Sequence, residues 1–228
     1  MNLGQAIYDV YEILRAHSKD KDFNEEYIAH KLSQYRAVAI ANRYSQHGYL
    51  SQLWFQNHKP IELTKITSGD DPLITLGSIT MGKGTVATPI YLEGDYLPLV
   101  VTGPSRQFPY SITEPETLFN RIISGEYFHP NYGYFFIRGT DLYTYPYTER
   151  VSPNGIFDNP VEIEIYDPVT ETYVLPGLED PYPMDMSMAQ EIIISLLTKE
   201  YGITMQQISD MLNDGVSKLN VLPSEPTR

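Results

Sequence analysis

The segment that most resembles a chemical motif is Gly77-Ser-Ile-Thr-Met-Gly-Lys-Gly-Thr85, which is one residue away from a phosphate-binding P-loop. In a P-loop, a hydroxyl directly after the lysine binds Mg²⁺, and a following helix holds the phosphates at its N-terminus. Here Gly84 follows Lys83, and the chain runs on into Thr88-Pro89. The sequence therefore predicts no nucleotide site and favours a flexible glycine-rich loop between strands.

Other combinations of reactive side chains give no better candidate. The absence of cysteine excludes disulfides, thiolate metal sites and a thiol nucleophile. No histidine has a metal-ligand spacing such as HExxH, and there is no GxSxG nucleophile elbow. The histidines are His17, His30, His47, His58 and His129. We predict no catalytic residue, no metal site and no cofactor.

Carboxylate pairs are the one remaining catalytic possibility, since a glycosidase uses two of them. The candidates are Asp70-Asp71, Glu114 with Glu116, and Glu162 with Glu164. An acidic protein offers such pairs by chance, so they indicate little. A calcium site among Asp158, Glu162 and Asp167 lacks the loop spacing that calcium motifs share.

The distribution of charge is more informative than the motifs. The chain has a net charge of −13, and residues 141–180 hold nine carboxylates against Arg150 alone. Nucleic-acid affinity depends on clustered Lys and Arg, so this region is expected to repel DNA phosphates. The alternative is that the acidic surface only keeps the protein soluble.

Membrane insertion and secretion are not expected. The longest apolar cluster, Ile192–Leu197, is far shorter than the roughly 20 residues that span a bilayer. The N-terminus lacks a basic region, and Asp9 and Glu12 interrupt any apolar stretch that a signal peptide would need.

Two helices are predicted at the start of the chain. Apolar residues recur at spacings of three and four within residues 4–17. A second helix follows, with Asn24 as its N-cap, Phe23 stapling onto Ile28, and His47-Gly48 at its end.

Between Tyr49 and about Asp180, the sequence consists of short β-prone runs separated by Pro and Gly. A hairpin joins Tyr134–Ile137 to Leu142–Tyr145, and a half-buried strand alternates over Val161–Tyr166. The segment punctuated by Pro104, Pro109 and Pro115 is expected to be an extended loop, with a short helix near Glu116–Ser124.

Helical signals return after Pro183. Ser187 and Gln190 predict a capping box for a helix that ends at Gly202, and Thr204 with Gln207 predicts a second, shorter helix. The first of these helices is apolar around most of its circumference, so either the N-terminal helices or a neighbouring subunit must cover it.

The predicted partner-binding residues lie in two places. Trp54 and Phe55 follow the second helix, and large aromatic side chains are enriched at protein interfaces. The tail from Val216 to Arg228 carries apolar residues beside two prolines, a composition suited to lying along a partner. These tail residues are Val216, Leu219, Val221 and Leu222. A disordered terminus is the alternative.

The predicted fold class is α+β, with the N- and C-terminal helices packed together and a β-rich, Pro-, Gly- and Tyr-rich section between them. The expected divisions are residues 1–48, 49–180, 181–215 and an extended tail at 216–228.

Four stretches of the sequence together resemble a known family. They are Glu26–Ile40 with its Tyr-Arg-Ala pattern, the Tyr134–Tyr145 hairpin with its Ile-Arg-Gly turn, Gly155–Pro160, and the Pro-rich start of the closing helix at Asp180–Ile194. In this order they resemble the ring or adaptor proteins that lie below the portal in short-tailed, crAss-like bacteriophages. Residues 56–125 contribute nothing to the resemblance.

The resemblance implies a non-enzymatic virion protein, assembled in the host bacterial cytoplasm. It implies a homo-oligomeric ring, commonly twelve-fold, that joins the portal to other tail rings around the path of the genomic DNA. Two other functions stay open from the residues: a small hydrolase or carbohydrate-active protein that uses acidic residues and tyrosines, and a monomeric carbohydrate- or peptide-binding β module.

Overall fold

The computed structural model describes residues 1–17, 24–67, 69–72, 74, 79–103, 109–125 and 132–204. These residues form four α-helices and two β-sheets, so the α+β class is confirmed. The helices are α1 (Leu3–His17), α2 (Glu25–His47), α3 (Pro115–Ile123) and α4 (Met186–Tyr201). The strands are β1 (Gln56–Asn57), β2 (Ile61–Glu62), β3 (Thr64–Thr67), β4 (Thr80–Thr85), β5 (Leu99–Thr102), β6 (Pro109–Ile112), β7 (Tyr134–Arg138), β8 (Asp141–Tyr145), β9 (Arg150–Gly155), β10 (Ile165–Asp167) and β11 (Thr172–Val174).

The chain divides into two compact units. The first comprises residues 1–42 and 178–228, and the second comprises residues 43–177. In the part of the chain that the structure describes, no helix is long and apolar enough to cross a membrane.

The first unit is helical, and its terminal helices pack together as predicted. The buried face of α1 carries Ile7, Val10 and Leu14, while the buried residues of α4, from Met188 to Leu197, lie on one side of the helix. The N-terminal helices therefore cover the apolar surface of α4, and a neighbouring subunit is not required for it.

The ends of these helices follow their capping signals. Asn24 Oδ1 accepts hydrogen bonds from the backbone N–H groups of Glu26 and Tyr27, which confirms the predicted cap of α2. Gly48 and Gly202 adopt positive φ after α2 and α4, as expected for glycine in the left-handed region. The predicted Phe23 staple and the helix at Thr204–Gln207 involve residues outside the described part.

The N-cap of α4 is Asp185, and the predicted capping box from Ser187 is wrong. The Asp185 Oδ1 atom accepts from the Met188 backbone N–H at 2.8 Å and from the Ser187 hydroxyl at 2.7 Å. A carboxylate two residues before Ser187 satisfies the exposed backbone donor, so the helix begins at Met186 and Ser187 becomes a helical residue.

The second unit is built on a nine-stranded, mostly antiparallel sheet in the order β1-β9-β5-β6-β7-β8-β4-β3, with β2 also paired to β9. The successive strands β2 and β3 pair with β9 and β4, at opposite ends of that order. The sheet therefore curls round until its ends meet at Leu63, whose backbone N–H donates to the Glu149 carbonyl at 2.8 Å.

Strand alternation gives this sheet two separate cores. Phe135 and Leu142 point to one core, and their chain neighbours Phe136 and Tyr143 point to the other. The β7–β8 hairpin is confirmed, and α3 confirms the predicted short helix, which covers the second core with Leu118.

Two predictions for this unit are wrong. The half-buried strand at Val161–Tyr166 is instead a 3-10 turn at Pro160–Glu162, and β10 starts only at Ile165. Pro160 favours the first position of such a turn, and Asn159 Nδ2 donates to Glu162 Oε1 across it. The supposed loop near Pro109 contains strand β6, because Pro109 occupies the first strand position, where its missing N–H is tolerated.

Candidate partner-binding surfaces

The P-loop-like segment forms a strand in the region that the structure describes, so the prediction of a flexible loop is wrong there. Residues Thr80–Thr85 form β4, between β3 and β8; Gly77 lies outside the described residues. A Cβ atom on Gly82 would lie 2.8 Å from Leu63 Cδ1, and one on Gly84 would lie 2.6 Å from Ile61 Cγ2. The glycines are needed because the first core packs against the backbone of β4.

Lys83 lies on the opposite face of β4, in an ion-pair network. Its Nζ atom is 2.8 Å from Asp71 Oδ2 and 3.0 Å from Asp141 Oδ2. The Tyr143 hydroxyl donates to the same Asp71 oxygen at 2.9 Å. The hydrogen bond to Asp71, followed by those to Tyr143 and Asp141, raises the pKa of Lys83. This lysine is held by carboxylates and is not presented to a phosphate.

Three of the described carboxyl groups are held in the ionised form. Where their pKa clearly departs from its ordinary value, at Asp70, Asp167 and Glu200, it is lowered by hydrogen-bond donors, which favours the ionised form. Among the described residues there is also no group of His, Asp and Glu that could hold a metal ion.

The predicted partner residues lie in contrasting surroundings. Trp54 is only 3% exposed, so its side chain belongs to the interior of the monomer, and Phe55 is half-buried. The apolar tail residues lie outside the described residues. Sequence reasoning passed over Leu53, which is 67% exposed beside Trp54 in the same 3-10 turn.

The second unit also carries exposed tyrosines. Tyr49, Tyr91 and Tyr96 are exposed, and Tyr96 stacks on the half-buried Tyr44 with ring centroids 5.5 Å apart. Tyrosine supplies amphipathic contact area at little entropic cost. In the sequence, only the high tyrosine content indicated these exposed rings, because single residues in loops follow no periodicity.

A second surface that the sequence did not reveal is the β10–β11 hairpin. It forms its own two-stranded sheet, separate from the nine-stranded one. Tyr166 pairs with Tyr173 across the strands, with ring centroids 5.5 Å apart in an edge-on arrangement. Both rings are exposed, as are Val169, Val174 and Leu175. The hairpin thus presents large apolar side chains that the described residues leave partly or largely exposed.

The turn of this hairpin is held by Asp167. Its Oδ1 atom accepts from the Val169 backbone N–H and its Oδ2 atom from the Thr170 hydroxyl, both at 2.8 Å. The Val169 N–H, and after it the Thr170 hydroxyl, lowers the pKa of Asp167. Glu171 completes the turn at φ +53°, in the left-handed region that disfavours a side chain such as glutamate.

A depression of about 480 Å³ lies elsewhere in the same unit, over the Lys83 network. Tyr143, Pro72 and the stem of Lys83 line it, together with Asp71 and the exposed Arg138 at the end of β7. Asp71 and Asp141 are both ion-paired to Lys83, so positive and negative groups lie side by side at this surface.

The exposed tyrosines and the β10–β11 hairpin are candidate surfaces for protein contact on this α+β fold. In a comparison with family models, the model for phage tail ring protein 2 of crAss-like phages matches residues 5–216. The chain belongs to this family of phage tail ring proteins and is therefore a structural component of the bacteriophage virion. A comparison with curated proteins finds none that matches.

Proposed function

We propose that the chain is one subunit of a homo-oligomeric ring in the connector between the portal and the tail, surrounding the path of the DNA. The observation that carries this proposal is the family match over residues 5–216, which spans both units of the fold. The resemblance of four sequence stretches to connector ring proteins implies a ring of twelve copies.

The subunit acts through contacts rather than catalysis. Lys83, the lysine of the P-loop-like segment, is ion-paired to Asp71 and Asp141. The lowered pKa of Asp167 favours its ionised form. Exposed tyrosines and the β10–β11 hairpin provide the apolar area that an interface needs. The acidic region at residues 141–180 suits a wall along which the duplex slides, since carboxylates do not grip phosphate.

Cryo-electron microscopy of the intact particle tests the proposal directly. A ring of twelve copies, each of 26.0 kDa, should encircle the DNA density between portal and tail. A reconstruction in which the chain is present as one isolated copy, or lies away from the DNA path, would contradict the ring.

The tail supplies a further contact in this proposal, through Val216, Leu219, Val221 and Leu222. The half-buried Phe55 and the exposed Leu53 supply the second contact in place of the buried Trp54. Deletion of residues 216–228 should leave a folded subunit that does not enter the particle. The matched control replaces the same residues with a Gly/Ser segment of equal length, which keeps the chain length but removes the apolar side chains. Normal incorporation of both variants would show that the tail makes no required contact.

A further inference from the structure

We infer that the tail of one copy docks into a groove beside α1 of the next copy in the ring. This inference rests on the proposed ring function, and it names the surface that receives the tail, residues 216–228. The α1 groove is a depression of about 520 Å³ in the first unit. It is lined mainly by α1 between Gly4 and Arg15, together with Glu25, Leu178 and Glu179.

The α1 groove exposes apolar side chains. Tyr8, which is 59% exposed, and Tyr11 lie three residues apart and therefore on one side of α1. Leu178 is 50% exposed and lies against Gly4, where a Cβ atom would come within 3.1 Å of the Leu178 carbonyl oxygen. These side chains offer contact area to a partner without any change in the packing of α1 on α4.

The groove has the length of a short extended segment. Gly4 and Arg15 are about 16 Å apart along the helix axis, at about 1.5 Å per residue. The apolar part of the tail, from Val216 to Leu222, is about 20 Å long when extended at about 3.3 Å per residue. Pro223 favours such an extended path. The groove can therefore receive about five extended residues of the tail.

The charges favour the tail as the occupant. The lining of the groove holds three carboxylates and one guanidinium, which belong to Glu12, Glu25, Glu179 and Arg15. The tail has the opposite balance, since Lys218 and Arg228 outnumber Glu225 in a chain whose net charge is −13. An apolar segment with net positive charge thus meets an apolar groove with net negative charge, whereas DNA phosphates would be repelled.

The point at which the described chain ends allows the tail to reach a neighbour. The last described residue, Thr204, follows α4, and Glu200 in the last turn of α4 accepts a hydrogen bond from the Tyr27 hydroxyl of α2 at 3.0 Å. From there, residues 205–215 can span up to about 36 Å when extended. A closed ring is held by head-to-tail contacts, in which two different surfaces of each copy meet. The tail and the α1 groove are two such surfaces.

Disulfide formation between different chains tests the contact, because the natural chain contains no cysteine. Full-length chains with Asn220→Cys are supplied to particles together with chains that carry Gln5→Cys or Glu12→Cys, at two positions along the groove. Each chain then has a single thiol, so a disulfide between tail and groove joins two copies. After mild oxidation, a non-reducing gel should show a covalent dimer at twice 26.0 kDa for at least one of the two groove positions.

Two controls identify a specific link. Particles that contain only one kind of single-cysteine chain should give much less dimer than the mixture. The matched control combines Asn220→Cys with Val38→Cys, because Val38 is 53% exposed in the same unit but lies on α2, outside the groove. This pair should give no more dimer than either chain alone.

A charge exchange gives an independent measurement. Lys218→Glu should reduce the number of copies incorporated per particle about fivefold, because the tail would then carry negative charge into a negative groove. Adding Glu12→Lys and Glu25→Lys to the same chain should restore incorporation. Restoration shows pairing between tail and groove, which a folding defect would not produce, and its absence would contradict the pairing.

The outcomes separate the inference from the function on which it rests. Amine-crosslinked multimers of the natural chain, without a disulfide dimer from either groove position, would overturn the docking contact but keep the ring. A dimer of equal intensity from the Val38 control would overturn it too. If a chain with both Asn220→Cys and Glu12→Cys formed only an internal disulfide, the tail would occupy its own groove and not that of a neighbour. Crosslinks only to other tail proteins, with no multiples of this chain, would overturn the ring itself.

Discussion

At the residue scale, the glycines of β4 show how a motif can arise from packing. Gly82 and Gly84 lie where Leu63 and Ile61 pack against the strand backbone, which is why this segment resembles a phosphate loop without being one. Both positions are glycine because a Cβ atom there would collide with the core, and not because the backbone binds a phosphate.

Gly82→Ala should lower the free energy of unfolding by about 1–3 kcal/mol, because the added Cβ overpacks the core between Leu63 and Thr144. Urea denaturation measures the change. Gly103→Ala is the matched control, since its Cβ would meet only the Tyr110 ring at 3.8 Å, an ordinary contact. Equal stability of the two variants would mean that the core does not pack against β4 in this way.

Lys83→Met should destabilise the protein by about 1–3 kcal/mol, because the Asp71 side chain is largely buried and would lose its cation. The control is Lys65→Met, an exposed lysine on β3 for which a change within about 0.5 kcal/mol is expected.

Titration calorimetry of the natural chain with ATP and Mg²⁺ should show no binding. Micromolar affinity that disappears in Lys83→Met would contradict our assignment of β4.

At the element scale, a buried arginine links α2 to the segment that leads into α4. Arg36 is 0% exposed, and its Nε–H donates to the Pro183 carbonyl at 2.8 Å. The Tyr182 hydroxyl lies 3.0 Å from the Ser33 hydroxyl, and burial raises the pKa of Tyr182. The Tyr-Arg-Ala pattern and the Pro-rich segment, which both contributed to the family resemblance, are therefore in contact.

Arg36→Lys should cost about 1–3 kcal/mol, because an ammonium cannot reproduce the geometry of a guanidinium that is buried with its hydrogen bonds. Thermal unfolding followed by circular dichroism measures the loss. Arg15→Lys on α1 is the matched control, as Arg15 is exposed and near-neutral behaviour is expected. If both variants unfolded at the same temperature, Arg36 would not hold α2 to the start of α4.

The β10–β11 hairpin should lose order in acid. Its turn depends on ionised Asp167, whose pKa is lowered from 3.8 in the folded state. The stabilisation is therefore fully present above pH 3.8 and is lost as the pH falls through the lowered pKa. Amide hydrogen exchange over residues 165–174 should show reduced protection in that acidic range.

The variant Asp167→Asn separates titration from structure in this experiment. The amide keeps an oxygen acceptor for the Val169 N–H but carries no charge, so its protection should not vary with pH in the same range. Asp167→Ala should lose protection at every pH. An acid-induced loss that persists in Asp167→Asn would assign the effect to another group.

At the scale of the whole molecule, charge governs the relation to DNA. With a net charge of −13, the natural chain should not bind duplex DNA even at about 50 mM salt. A variant with Asp158→Lys, Glu162→Lys and Glu171→Lys should gain weak binding that weakens steeply with salt, and it serves as the positive control. Fluorescence anisotropy measures both. Tight, salt-sensitive binding by the natural chain would contradict the acidic-wall model of the ring.

Much of the helical architecture followed from local sequence. The apolar spacing on α1, the Asn24 cap, and Gly48 and Gly202 after their helices depend on residues within one or two turns of each other. The β7–β8 hairpin was predictable for the same reason, since its strands are joined by a short turn. Composition alone also indicated the acidic character and excluded cysteine chemistry.

Tertiary structure decided what depends on distant contacts. The role of Gly82 is set by Leu63, the burial of Arg36 by Pro183, and the environment of Lys83 by Asp71 and Asp141. The curling of the sheet requires β2 and β3 to meet strands far away in sequence. Local propensity contains no information on such pairs, because the energy that selects them comes from packing between segments. The sequence by itself thus determined the fold class and the acidic, cysteine-free chemistry, whereas only the folded chain brought Lys83 to its two aspartates and left the β10–β11 hairpin exposed.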